Sequence, residues 1–222
     1  REKEEKTMLI YIVRHGETDW NKEHKVQGAV DIPLNKYGIH LAEETADGLE
    51  NIRFDAAYSS PLSRAKKTAE VILKGRNIKI KEDKRIQEIC FGAYEGMCIG
   101  GEKMDPKSGE FNKFFVDTEN YVPIDGGETV PQLMKRTGGF LRELCENKEL
   151  SQKNVLITTH GAAMTALLNN IKENFDVAAF WKNGVPANCA VTIVDVKEGK
   201  PEIIKENVIY YKEQVRTWKV GK

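Results

Sequence analysis

The sequence lacks the marks of several large protein classes. Its four cysteines, Cys90, Cys98, Cys145 and Cys189, are widely spaced in 222 residues and form no Cys-x-x-Cys pair. That excludes a disulfide framework and a cysteine-rich zinc site as organising features, and a reducing, cytoplasmic setting is expected. The longest uninterrupted apolar run covers residues 8–13, far too short to span a membrane, and the N-terminus is charged where a signal peptide needs an apolar stretch. Neither charge is in excess. Lys plus Arg equals Asp plus Glu at 34 each, so no general field attracts nucleic acid or an anionic membrane. No Gly-x-x-x-x-Gly-Lys loop occurs, which leaves nucleoside triphosphate chemistry without support. The sequence says nothing of oligomeric state.

What is present suits a chain with one substantial core, since 40% of residues are hydrophobic and 31% charged. Residues 1–7 alternate charges without an apolar face and read as a solvated leader or an expression remnant; residues 8–222 read as a single domain. Residues 8–13 suit a strand buried on both faces of a parallel sheet. An amphipathic helix is expected over 38–52 and a second strand over 55–58. Ser60 and Pro61 suit the cap and first position of a helix running to about residue 73. An edge strand over 78–80, a helix over 129–146, a buried strand over 155–159 and a helix from 160–161 to about 170 follow. Residues 190–196 and 202–209 suit a closing hairpin. Strands alternating with helices indicate an α/β fold, a three-layer αβα sandwich around a mostly parallel sheet. Residues 92–128 break the rhythm and suit a long insertion over the active site.

In open α/β sheets ligands bind beyond the carboxyl ends of the strands, where helix N-termini favour anions. Three polar clusters fall there: Arg14-His15-Gly16, Ser59-Ser60 with Arg64, and His160-Gly161. Together they supply two arginines and two histidines, cationic donors suited to the oxygens of a phosphoryl group without a metal. Gly16 and Gly161 let backbone approach a ligand. An imidazole attacks phosphorus only when neutral, and neighbouring arginines disfavour its protonated form. The leaving oxygen needs a proton, for which Glu88 is the first candidate and Glu17 the second, with Glu95 and Glu128 competing. A lone strand-end histidine could equally be held by backbone. A metal site is the chemical rival, because His15, Glu17, Asp19 and His160 include ligand types, but two arginines would repel a cation. His24 and His40 read as surface residues, Trp20 and Tyr94 as packing.

The run from Arg14 to Asn21 (Arg-His-Gly-Glu-Thr-Asp-Trp-Asn) resembles the signature of the histidine phosphatase superfamily in its phosphoglycerate mutase-like branch. Gln27-Gly28 with Asp31, Ser59 to Arg64, Glu88 with Phe91 to Gly96, Gly126 to Glu128 and Thr159 to Gly161 follow in family order, so the resemblance spans roughly residues 8–196. It implies that His15 becomes a phosphohistidine held by Arg14, Arg64 and His160. Asn21, Gln27, Gly28 and Gly161 would line the pocket, and Glu88 would be the proton donor, with no metal or other cofactor. The cofactor-dependent mutases of this family carry paired arginines in the insertion. Here residues 92–128 hold Lys103, Lys107 and Lys113 and no arginine. The expected function is therefore hydrolysis of a small phosphomonoester. The alternatives are a 2,3-bisphosphoglycerate-dependent phosphoglycerate mutase and a non-catalytic phospho-ligand binding protein.

Overall fold

The structure, a computed structural model, describes residues 7–212, so most of the charged leader and the last ten residues lie outside the described part. Six strands, β1 (Met8–Arg14), β2 (Ala56–Ser59), β3 (Ile80–Glu82), β4 (Asn154–Thr159), β5 (Val191–Lys197) and β6 (Lys200–Val208), form one sheet in the order β3-β2-β4-β1-β5-β6. The pairings of β1 with β4, β4 with β2, and β2 with β3 are parallel, whereas β5 pairs antiparallel with β1 and β6. The helices are α1 (Asp19–Lys22), α2 (Lys36–Gly48), α3 (Ser63–Ile72), α4 (Ser108–Val116), α5 (Val130–Glu146) and α6 (Gly161–Ile171).

Alternation along β1 divides the core between two helical layers. Met8, Ile10 and Ile12 pack with Phe140, Leu141 and Leu144 of α5 and Met164 and Leu167 of α6. Tyr11 and Val13 face the other way, onto Leu49 after α2 and Ala69 and Ile72 of α3. The fold is thus the three-layer αβα sandwich with a mostly parallel sheet that the alternation of elements indicates.

Several boundaries differ from the sequence reading. Helix α3 begins at Ser63 rather than at Pro61, and Ser60 is not its cap. The buried Ser60 hydroxyl bonds His160 Nε2 at 2.7 Å and accepts from Leu62 N at 3.3 Å, and the Ser63 N–H is received by the Asp31 carboxylate at 2.7 Å. Helix α2 starts two residues earlier than expected because Asn35 caps it, accepting from Gly38 N at 2.8 Å. The edge strand lies at Ile80–Glu82 instead of 78–80. Residues 92–128 are not featureless: they contain α4, whose Phe111, Phe114 and Phe115 at i, i+3 and i+4 form one apolar stripe.

The turn after β1 is built on two glycines. A Cβ on Gly16 would lie 2.3 Å from the Gly38 carbonyl oxygen, and one on Gly38 would lie 2.0 Å from the Glu17 carbonyl oxygen. The missing side chain of Gly16 therefore serves this backbone crossing. Gly38→Ala is expected to push α2 off the turn and cost about 1–3 kcal/mol, the usual range for overpacking. Urea unfolding of the variant checks this, and an unchanged midpoint would contradict the crossing.

Candidate active site

The parallel registers place three strand ends side by side. Arg14 stands opposite Thr159, and Ser59 opposite Thr158, so β4 and its successor His160 sit between the β1 and β2 ends. The His15 and His160 rings lie 5.1 Å apart. A cleft of about 510 Å³, counted out to solvent, opens over them; Arg14, His15, Asn21, Gln27, Gly28, Arg64, Glu88 and Gly161 all line it. His160 is completely buried beside His15.

His15 Nδ1 lies 2.6 Å from the Gly16 carbonyl oxygen. A carbonyl only accepts, so Nδ1 carries the ring proton and Nε2 keeps its lone pair. Burial first, then the charges of Arg64 and Arg14, hold His15 well below the ordinary histidine range. His160 is likewise held neutral, by burial and then by Arg64. Loss of water thus outweighs the arginines as the cause.

Arg64 is buried and Arg14 half-buried, and both are held by carbonyls. Arg14 Nη1 donates to Pro186 O at 2.5 Å, and Arg64 donates from Nη1 to Val30 O and from Nη2 to Gly28 O, each at 2.7 Å. Burial pulls the Arg64 guanidinium down to about 10, partly offset by the charges of Glu88 and Asp31. Three buried nitrogens on these residues, Arg14 Nε, Arg64 Nε and His160 Nδ1, have no hydrogen-bond partner. Leaving each unpaired costs about 1–3 kcal/mol, which an anion among them would recover.

Glu88 is fixed by α6. Its carboxylate accepts from Ala162 N at 3.1 Å, Ala163 N at 3.0 Å and Ile89 N at 3.0 Å, using the free N–H groups of the helix start. The rival acids are engaged elsewhere and do not line the cleft. Glu17 accepts from Asn35 Nδ2 at 3.0 Å, and Glu95 from Ala29 N and Phe91 N at 2.8 and 3.0 Å. Glu128 pairs with Arg136 through contacts of 2.6 and 2.7 Å.

Nothing in the sequence singles out Arg136. It donates to the carbonyls of Arg85, Gln87 and Glu88 as well as to Glu128, so it pins the backbone that carries Glu88. Asn188 is equally unmarked; its Nδ2 donates to the His15 carbonyl at 2.9 Å. The aromatic wall of the cleft (Phe91, Phe111, Phe114, Phe115 and Trp181) is a third feature that sequence reasoning misses, and the insertion lysines do not line the cleft. His24 and His40 are partly exposed, with His24 in the left-handed region at φ 54° against Gly100.

The family model of the histidine phosphatase superfamily (branch 1) matches residues 10–209. The chain belongs to this superfamily. It is thereby a phosphoric monoester hydrolase of the phosphoglycerate mutase-like branch. Similar proteins include the "Uncharacterized phosphatase PhoE" of Bacillus subtilis, 39% identical over 73% of this chain and 76% of that protein. "Phosphoserine phosphatase 1" of Hydrogenobacter thermophilus is 30% identical over 90% and 92%. The "Probable phosphoglycerate mutase GpmB" of Salmonella choleraesuis is 28% identical over 87% of each chain. Among solved structures, YhfR of Bacillus stearothermophilus superposes with a TM-score of 0.81 at 30% identity, covering 90% of this chain and 96% of that one. No helix among the described residues of this histidine phosphatase is long and apolar enough to cross a membrane.

The neutral histidines set a pH dependence of stability. Their folded pKa values lie below the unfolded 6.5. Above pH 6.5 neither state binds the protons and the contribution is flat. Below it the unfolded chain takes them up first, so stability falls by up to about 1.4 kcal/mol per pH unit for each histidine. His15→Asn is expected to lose stability less steeply than the parent as pH falls from 6.5. Urea titrations at stepped pH test this, and identical slopes would show that His15 is not held neutral.

Proposed function

We propose that the chain hydrolyses a small phosphomonoester through a phosphohistidine formed on His15, without a metal. The observation that carries this reading is the 2.6 Å bond from His15 Nδ1 to the Gly16 carbonyl, which leaves the Nε2 lone pair for attack in a cleft lined by Arg14, Arg64 and Glu88.

In this reading Arg14, Arg64 and His160 hold the phosphoryl oxygens with the donors that lack protein partners. Ser60 donates its hydroxyl proton to His160 Nε2, so the neutral ring presents N–H at Nδ1. Nε2 of His15 attacks phosphorus, the P–N bond forms as the P–O bond to the alcohol breaks, and Glu88 gives its proton to the departing oxygen. Water then attacks the phosphohistidine, Glu88 takes a proton from it, and the P–N bond breaks to release phosphate. The fixed cations stabilise charge on the transferring group throughout. Asn21, Gln27 and Gly28 are assigned to the pocket wall and Gly161 to the close approach of the α6 start.

Hydrolysis is favoured over the mutase reaction by the charge of the wall. A mutase must hold a doubly phosphorylated intermediate while it reorients, which needs cations beyond the first phosphate site. Beyond Arg14 and Arg64 the cation on the cleft wall is Lys25, already paired with Glu23 at 2.6 Å.

Purified protein is expected to release phosphate from monoesters in EDTA, to be inhibited by vanadate, and to form an acid-labile, base-stable phosphoenzyme. His15→Ala should abolish labelling and lower turnover by at least about a thousandfold, the scale seen for loss of a nucleophile. Activity that requires added metal, or labelling that survives in His15→Ala, would overturn the mechanism. Phosphate exchange between 3-phosphoglycerate and 2,3-bisphosphoglycerate faster than phosphate release would establish the mutase instead. No release from any ester would favour a binding protein.

A further inference from the structure

The cleft has two chemically distinct halves. One is the cationic set at the strand ends. The other is an aromatic wall in which the partly buried Phe115 and Trp181 stand over the buried Phe91, Phe111 and Phe114, with Phe91 4.9 Å from both Phe111 and Phe114, and Trp181 5.4 Å from both Phe114 and Phe115, measured between ring centroids. Val26 and Val185 complete it. The wall is braced: Trp181 Nε1 donates to the Phe114 carbonyl at 2.7 Å, which fixes the end of α4 against the segment after α6.

We propose that this wall is the subsite for the alcohol half of the substrate, and that the protein selects monoesters of an apolar, aryl or branched alkyl alcohol over those of acidic or polyhydroxylated alcohols. The inference rests on the placement of the phosphoryl group against Arg14 and Arg64 proposed above. With phosphate there, the ester oxygen points to the other wall, where rings offer dispersion and loss of water but few hydrogen bonds. A carboxylate or several hydroxyls placed against those rings would lose water without replacement, an unfavourable exchange. Lys25 is on the cleft wall, but its ammonium is paired with Glu23 at 2.6 Å, so a substrate carboxylate would have to displace that partner.

Binding of stable phosphonates separates this from the chemistry, since it needs no turnover. Calorimetry on wild-type protein is expected to show affinity rising about fourfold per methylene from methyl- to butylphosphonate, the effect of burying each group, with phenethylphosphonate tighter still. The carboxylated 3-phosphonopropionate should bind at least about tenfold more weakly than butylphosphonate, and inorganic phosphate should displace every member. Phe115→Ala should reduce the preference for phenethyl- over methylphosphonate severalfold. Equal affinities along the series, or tighter binding of the carboxylated member, would overturn the inference even if the protein proves an active phosphatase. A steep apolar preference in a protein that forms no phosphohistidine would uphold the inference and defeat the mechanism.

Discussion

Two guanidinium groups, that of the buried Arg64 and that of the half-buried Arg14, are held by backbone carbonyls and not by carboxylates, and the rest of the site depends on that. Arg14 is bonded to Pro186, Arg64 to Val30 and Gly28, and both stay charged inside the protein. Neutral carbonyls satisfy the N–H groups without cancelling the charge, so the positive potential at the strand ends remains available to an anion. Burying such charges costs several kcal/mol each. The cost is tolerable because the peptide groups of the 28–30 loop and the segment before β5 stand in for water.

Exclusion of water, helped by the same potential, keeps His15 and His160 neutral, which a nucleophilic imidazole requires. The potential also gives the supporting contacts their purpose. Gly28 takes a φ of +54° with its Cβ position against the Glu95 carboxylate, and Glu95 in turn receives Ala29 N. Asp31 receives the first N–H of α3, the helix that carries Arg64. A loop that looks peripheral is thus fastened at both ends around one side chain.

Much of this was legible in the sequence, because strand ends announce themselves by an abrupt change from apolar to polar. Arg14, His15 and His160 can be placed by that rule, and Arg64 by its position just after the second strand. The burial of β1 on both faces is equally plain, because Ile10, Ile12, Tyr11 and Val13 are all apolar, which only two helical layers accommodate. Other features depend on partners distant in the chain. The bond between Ser60 and His160 joins residues 100 apart, and no local pattern reveals it. Arg136 follows Glu128 by 8 residues, outside the i+3 and i+4 spacing of helical pairs, so neither that contact nor the grip on residues 85–88 shows locally. The aromatic stripe of α4 has helical spacing within residues 92–128, yet the glycines and polar residues around it hide a helix of 9 residues.

The grip of Arg136 has a consequence for how this protein can diverge. It clasps Glu128 and the Glu88 carbonyl at once, and Glu128 N also donates to Cys90 O at 2.7 Å, so the two stems of the intervening stretch are tied together at its base. The stretch between them is also fastened to the body of the fold, by Val26 N to Met97 O at 2.9 Å, Gly96 N to Val26 O at 2.8 Å and Trp181 Nε1 to Phe114 O at 2.7 Å. Exchange of the side chains that α4 presents leaves the neck, and the Glu88 backbone it holds, in place, whereas Val26 and Trp181 on the same wall must change in step with them.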